Sequence, residues 1–152
     1  QRLGGDVRIA TCADFNGTRW TVSAVMIPVP RGNSFLTPAG VVARLFKKVN
    51  GTHGAKTVNA PADVDVAVSV STGKAFAHLA NLQWNRATPV HFEVAGKQIK
   101  GGRVWEIAPE NIRESVNVDP PDVFAAKESV LRADASWTLA PGAVAAVELE
   151  LG

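Results

Sequence analysis

Any chemistry in this chain must come from its carboxylates, its three histidines, its one cysteine or its tryptophans. Hydrolysis of a sugar bond needs two carboxyl groups about 5–9 Å apart across the bond. Asp63 and Asp65 stand two residues apart, as do Glu148 and Glu150, so each pair shares one face of a strand. Both pairs lie in valine- or leucine-rich alternations and read as solvated outer faces, not as an acid and a nucleophile. Asp119 and Asp122 flank Pro120-Pro121, but two carboxylates without further oxygen ligands do not make a calcium loop. His53, His78 and His91 show no H-x-x-x-H spacing. His78 and His91 fall on segments expected to pair as strands, which would bring them near each other. Hydrogen-bonded strand histidines are the simpler reading, because no third metal ligand accompanies them. Cys12 is the sole cysteine, which excludes an internal disulfide and a thiolate zinc cage. With no histidine nearby it reads as an inert buried thiol. No G-x-S-x-G, P-loop or G-x-G-x-x-G motif is present, and Gly101-Gly102 reads as a turn. The sequence therefore nominates no catalytic residue, no metal site and no cofactor.

The tryptophans remain. There are four, with no tyrosine. Trp105 and Trp137 sit in alternating apolar contexts and read as core. Trp84 falls at a hairpin tip and Trp20 at a strand start. These two are the candidates for contact with carbohydrate, since an aromatic face can stack on a sugar ring. Asn16-Gly17-Thr18 and Asn50-Gly51-Thr52 match the glycosylation acceptor pattern, but Asn50 is better explained as a helix end.

The elements that must position these residues are legible in part. Thr37 is an N-cap candidate and Pro38 suits the first helical position. Val41, Val42, Leu45, Phe46 and Val49 follow at helical spacing, Lys47 and Lys48 favour the C-terminal end, and Gly51 reads as the C′ residue. After residue 55 the period changes to two. Val64, Val66, Val68 and Val70 alternate with Asp65, Ala67, Ser69 and Ser71, which predicts a half-buried strand. Thr72-Gly73-Lys74 is a tight turn, and Ala75–Leu82 is a central strand, apolar on both faces. Trp84-Asn85-Arg86 is a loop. Val90, Phe92 and Val94 point inward together, and Ala95-Gly96-Lys97 turns again. Further strands are expected near Lys97–Ile107, Ser129–Ala133 and Ala143–Leu151, with Pro120-Pro121 breaking the regularity between them. Earlier, Val7–Ala10 and Trp20–Ile27 read as short strands. The second of these looks buried and has no parallel partner in the sequence.

Composition bounds the rest. The chain has 152 residues, 46% hydrophobic and 20% charged, which is an ordinary folded domain. No apolar run approaches the roughly 18 residues that span a bilayer. No export signal opens the chain. The compartment is left open, with secreted or periplasmic favoured over cytoplasmic. Eight basic residues against Asp6 and Asp14 make residues 1–60 basic, and the remainder is acidic. Only Lys47 and Lys48 are adjacent, which does not make a nucleic-acid surface.

These ordered features resemble the C-terminal end of clan A glycoside hydrolases, nearest to the α-L-arabinofuranosidases of glycoside hydrolase family 51. The stretch Val22–Ile27, the loop to Asn33 and the segment from Leu36-Thr37-Pro38 to Gly51 look like the last unit of a (β/α)8 barrel. Ala75–Leu82 resembles a sandwich strand ending in a "VNL"-like motif. Asn117 with Pro121-Asp122-Val123 resembles an "N…xPDxV" loop. Trp137-Thr138-Leu139, Pro141-Gly142 and Val147–Leu151 resemble the closing strand. The resemblance implies a mainly β fold: an antiparallel, jelly-roll-like β-sandwich over 55–152, preceded by a β/α lead with one helix over 1–54. It implies a non-catalytic accessory domain, with the catalytic (β/α)8 barrel of the parent chain as partner. The ligand at large would be plant or algal polysaccharide, with no nucleic acid and no membrane. The barrel glutamates of such enzymes would precede Gln1, so no catalytic residue carries over. A carbohydrate-binding module, or the tail of an agarase, is the alternative. The isolated fragment, if stable, is expected to self-associate through its lead or else to rearrange that segment onto the sandwich.

Overall fold

Alternating valines become sheet, and the apolar helical stripe becomes a cover for one face of it. The computed structural model describes residues 16–17, 24–27, 29–111 and 124–152. Val7–Ala10, Cys12, Trp20, Asn117 and the Asp119–Asp122 loop lie outside these described residues. Within them the order is β1 (Asn16–Gly17), β2 (Val25–Met26), β3 (Phe35–Leu36), α1 (Pro38–Lys48), β4 (His53–Ala55), β5 (Val64–Ser71), β6 (Lys74–Asn81), β7 (Thr88–His91), β8 (Ile99–Ile107), β9 (Lys127–Leu131), β10 (Ser136–Leu139) and β11 (Val144–Leu151). The fold is mainly β with one helix. A six-stranded antiparallel sheet runs β4-β5-β6-β11-β8-β9, and β10 pairs with β7 in a second sheet. The two-residue turn Thr72-Gly73 joins β5 to β6, with Gly73 at φ 72° supplying the left-handed position. Among the described residues no helix is long and apolar enough to cross a membrane.

Two clusters set the layers. On one face of the large sheet, Val64, Ala75, Ala77, Leu79, Val104, Ala145, Val147 and Leu149 meet Val90 and Leu139 of the small sheet. This is the sandwich core. Phe92 and Val94 pack against it on the side of Val90, as the alternation predicts, although both are only half-buried. On the opposite face, Phe76, Ile107 and Ala146 meet Val41 and Leu45 of α1 and Val49 just past its end. β6 and the first half of β11 are largely apolar on both faces because a sheet covers one and a helix the other. Burying Leu45 and Val49 contributes about 1.5–3 kcal/mol each, far more than helix propensity alone supplies.

The helix begins as its sequence requires. The Thr37 hydroxyl oxygen accepts from the Gly40 N–H at 3.4 Å, and Pro38 occupies the first turn. Its end differs from the expected glycine cap. Val49 is the C-cap, and its N–H returns to the Leu45 carbonyl. Gly51 instead lies so close to β5 that a Cβ there would sit 2.7 Å from the Val70 backbone. Its N–H donates to Ser69 Oγ at 2.9 Å, and Ser69 donates to Asn50 Oδ1 at 2.8 Å. The glycine serves close approach, not a left-handed turn.

Other expectations are corrected by tertiary pairing. Gly101-Gly102 is inside β8, where the register shifts between Glu150 and Leu151 on β11. Gly101 at φ 135° accommodates that irregularity. Val25–Met26 does have a parallel partner, Asn16–Gly17, though the pairing is two residues long. The helix stripe covers the face of the large sheet. His53–Ala55 is a strand that the alternation did not show, and Ser136–Leu139 is a strand in its own right, separate from the closing strand with which the resemblance groups Trp137-Thr138-Leu139. They are short, three and four residues, and β4 is exposed throughout.

Candidate functional site

Three places could bear function: the buried histidine under the helix, the gap between the sheets, and the loop joining β6 to β7. His78 and His91 do not meet. His78 faces α1 from the middle of β6, whereas His91 belongs to the small sheet and its Nδ1 lies 3.1 Å from Ser136 Oγ. His78 stacks on Phe46 with ring centroids 4.0 Å apart and planes at 2°. Its Nε2 is 2.6 Å from the Val49 carbonyl, which can only accept, so Nε2 carries the proton. This bond satisfies one of the orphan carbonyls at the helix end. Burial lowers the imidazole pKa, and the bond to Val49 opposes that shift only in part. The histidine acts as a helix clamp. Among the described residues no three His, Cys, Asp or Glu side chains could together hold a metal ion.

The clamp has a pH consequence. The folded state resists protonating His78, so its contribution to stability is complete above the ordinary value of 6.5 and is lost as pH falls through the lowered one. Urea midpoints should therefore fall between pH 7.5 and pH 5. The His78→Phe variant should show a shallower fall over the same window. Equal slopes for the two proteins would disprove the clamp's part in it.

Among the described residues the second sheet has two strands where the first has six. A cleft of about 480 Å³ lies between Val66, Val68 and Val70 of β5 and Val90, Phe92 and Val94, with residues 55–61 along its rim. Its walls are apolar, and its rim carries Lys56, His91 and Glu93. Among the described residues that line it, the one carboxylate is Glu93, whose side chain is 87% exposed. That wall offers dispersion contact but no acid–base pair.

Two of the carboxylates read as solvated faces are engaged instead. Asp63 precedes β5; its Oδ1 accepts from Gln83 Nε2 at 2.8 Å and its Oδ2 pairs with Arg86. Glu148 lies on the helix side of the large sheet, half-buried, and pairs with Lys74 at 2.6 Å. Elsewhere, Glu128 accepts from Arg103 at 3.0 Å and from Trp105 Nε1 at 2.9 Å. Glu106 accepts from the Ala140 N–H at 2.9 Å and so ties the two sheets together. Trp105 and Trp137 are half-buried against the two clusters, in keeping with core roles. Trp137 Nε1 is buried and finds no acceptor among the described residues.

Trp84 is 68% exposed on the β6–β7 loop, and Leu82 beside it is 61% exposed. The residue that sequence reading missed is Asn81, which holds this loop. It is 5% exposed. Its Nδ2 donates to the Arg86 and Ala140 carbonyls, both at 2.9 Å. Its Oδ1 accepts from the Gln83 N–H at 3.0 Å and from Thr88 Oγ1 at 3.1 Å. A lone asparagine closing an apolar strand was the available signal, since a buried amide must find partners.

No protein-family model and no curated protein matches the chain. Solved structures do. The chain superposes on an arabinofuranosidase crystal structure with a TM-score of 0.71 at 19% identity, covering 84% of this chain and 31% of that one. The thermostable GH51 α-L-arabinofuranosidase from Thermotoga petrophila gives 0.68 at 19% identity, over 84% and 31%. A GH86 protein in complex with neoagarooctaose gives 0.61 at 15% identity, over 89% and 22%. The fold is thus one that forms part of GH51 arabinofuranosidase structures, as the sequence resemblance implies. The chain spans under a third of the length of those structures.

Proposed function

We propose that the chain is a non-catalytic C-terminal domain of a polysaccharide-degrading glycoside hydrolase, of the α-L-arabinofuranosidase kind, that packs on its catalytic (β/α)8 barrel and stabilises it. The observation that supports this reading is the coverage. Most of this chain superposes on less than a third of an arabinofuranosidase. Residues 1–54 are read as the last β/α unit of the barrel and 55–152 as the sandwich. In keeping with that division of labour, Asp63, Glu106, Glu128 and Glu148 are committed to contacts that hold this fold. The extended polysaccharide is the barrel's substrate, and the domain acts mechanically.

Two arms test the reading. The pure chain, incubated with arabinan, agarose and aryl glycosides, is expected to show no turnover above buffer. A longer polypeptide carrying a barrel ahead of Gln1 should hydrolyse one of them, and deleting residues 55–152 from it should lower its melting temperature. Turnover by this chain alone, abolished by changing one of its own carboxylates, would overturn the proposal. So would a barrel whose melting is indifferent to the deletion.

A further inference from the structure

The β6–β7 loop combines two properties. Its tip exposes large apolar side chains, yet the loop is tied down along its length. The Leu82 N–H donates to the Asp63 carbonyl at 2.8 Å, and the Gln83 carbonyl accepts from the Gly142 N–H at 2.8 Å. Asn81 binds both ends of the loop from beneath, and Asp63 holds Gln83 and Arg86 from the side. Presenting Trp84 from so fixed a support removes most of the ordering cost of a contact. A merely solvated loop needs neither the tryptophan nor the bracing.

The size of the patch argues against a separate protein as its occupant. A tryptophan 68% exposed and a leucine 61% exposed offer together about 250–300 Å² of apolar surface. A stable protein interface needs about 800 Å² per partner. One or two sugar rings need no more than an aromatic face. The charge points the same way. Gln83, Asn85 and Ala87 are uncharged, and the one cation of the loop, Arg86, is compensated by Asp63. Nothing here would favour an acidic chain. The negative face of an indole attracts the C–H-bearing face of a neutral sugar, while the exposed Asn85 amide can bond its hydroxyls. We propose that Trp84 is the stacking platform of a binding site for neutral saccharide chains. This inference goes beyond the packing role and does not depend on it.

The test titrates the full 152-residue chain separately with arabinohexaose, neoagarohexaose and, as an acidic control, hexagalacturonate. Intrinsic fluorescence and the tryptophan indole N–H resonances are followed. A neutral hexasaccharide should give saturable quenching with a dissociation constant of about 1 mM or tighter, shifting the Trp84 indole signal. The Trp84→Ala variant should bind at least about tenfold more weakly, and Trp84→Phe should retain most of the affinity. Trp84 is exposed, so both variants should keep the parent's urea midpoint. Three results would overturn the proposal: no saturable response to either neutral hexasaccharide, binding unchanged in Trp84→Ala, or tighter binding of hexagalacturonate. Concentration-dependent dimerisation lost in Trp84→Ala, without a saccharide response, would assign the patch to protein contact and overturn it equally.

Discussion

Replacing Leu79 by alanine is expected to destabilise the fold by about 2–5 kcal/mol. Leu79 sits on β6, in the middle of the large sheet, with 2% of its surface exposed. It packs where the two sheets face each other, in the cluster with Val90, Leu139 and Val147. Truncation removes the burial of the leucine side chain beyond Cβ and leaves a cavity that strands held by hydrogen bonds on both sides cannot collapse to fill. The same change at Leu82, three residues on and 61% exposed, should cost under about 0.5 kcal/mol. Urea unfolding of both variants against the parent measures the difference. Comparable costs would mean that the inward face of β6 has been misassigned.

Gly102→Ala is expected to cost about 3 kcal/mol or to prevent folding, although it adds a single methyl. A Cβ at residue 102 would lie 1.9 Å from the Glu148 carbonyl oxygen and 3.0 Å from its carbon. Both are backbone atoms of β11, the central strand to which β8 is paired from Gly101 to Ile107. No rotamer relieves the contact; the two strands must separate. Gly73→Ala, at the exposed turn, meets nothing within 4 Å and suffers only from its φ of 72°, a penalty of about 1–2 kcal/mol. Thermal melts of the two variants give the comparison. A Gly102→Ala protein as stable as Gly73→Ala would show that β8 does not approach β11 so closely.

These two positions also show what pattern can and cannot convey. The apolar inward side of β6 follows from its composition, because a strand without a polar face has to be covered twice. The need for glycine at 102 does not. A Gly-Gly pair reads as a turn by local preference, and only the approach of β11 makes it a strand. Gly51 repeats the lesson: its local context is a helix end, while its actual constraint is the backbone of Val70.

The site followed the same division. Exposure of Trp84 was legible, since it stands between a buried strand and a new alternation with polar residues around it. The bracing by Asn81 and Asp63 was not, because Ala140 stands 59 residues from Asn81 and Gln83 stands 20 from Asp63. His78 and His91 looked like neighbours on one hairpin, yet β6 pairs with β5 and β11, and β7 with β10. Sequence alone determined the strands of period two, the capped helix and its apolar stripe, because burial imposes those periods locally. Tertiary structure alone decided which strands pair, which face the helix covers and which polar groups are neutralised. Those outcomes depend on contacts between residues far apart in the chain, whose free energy no local pattern contains.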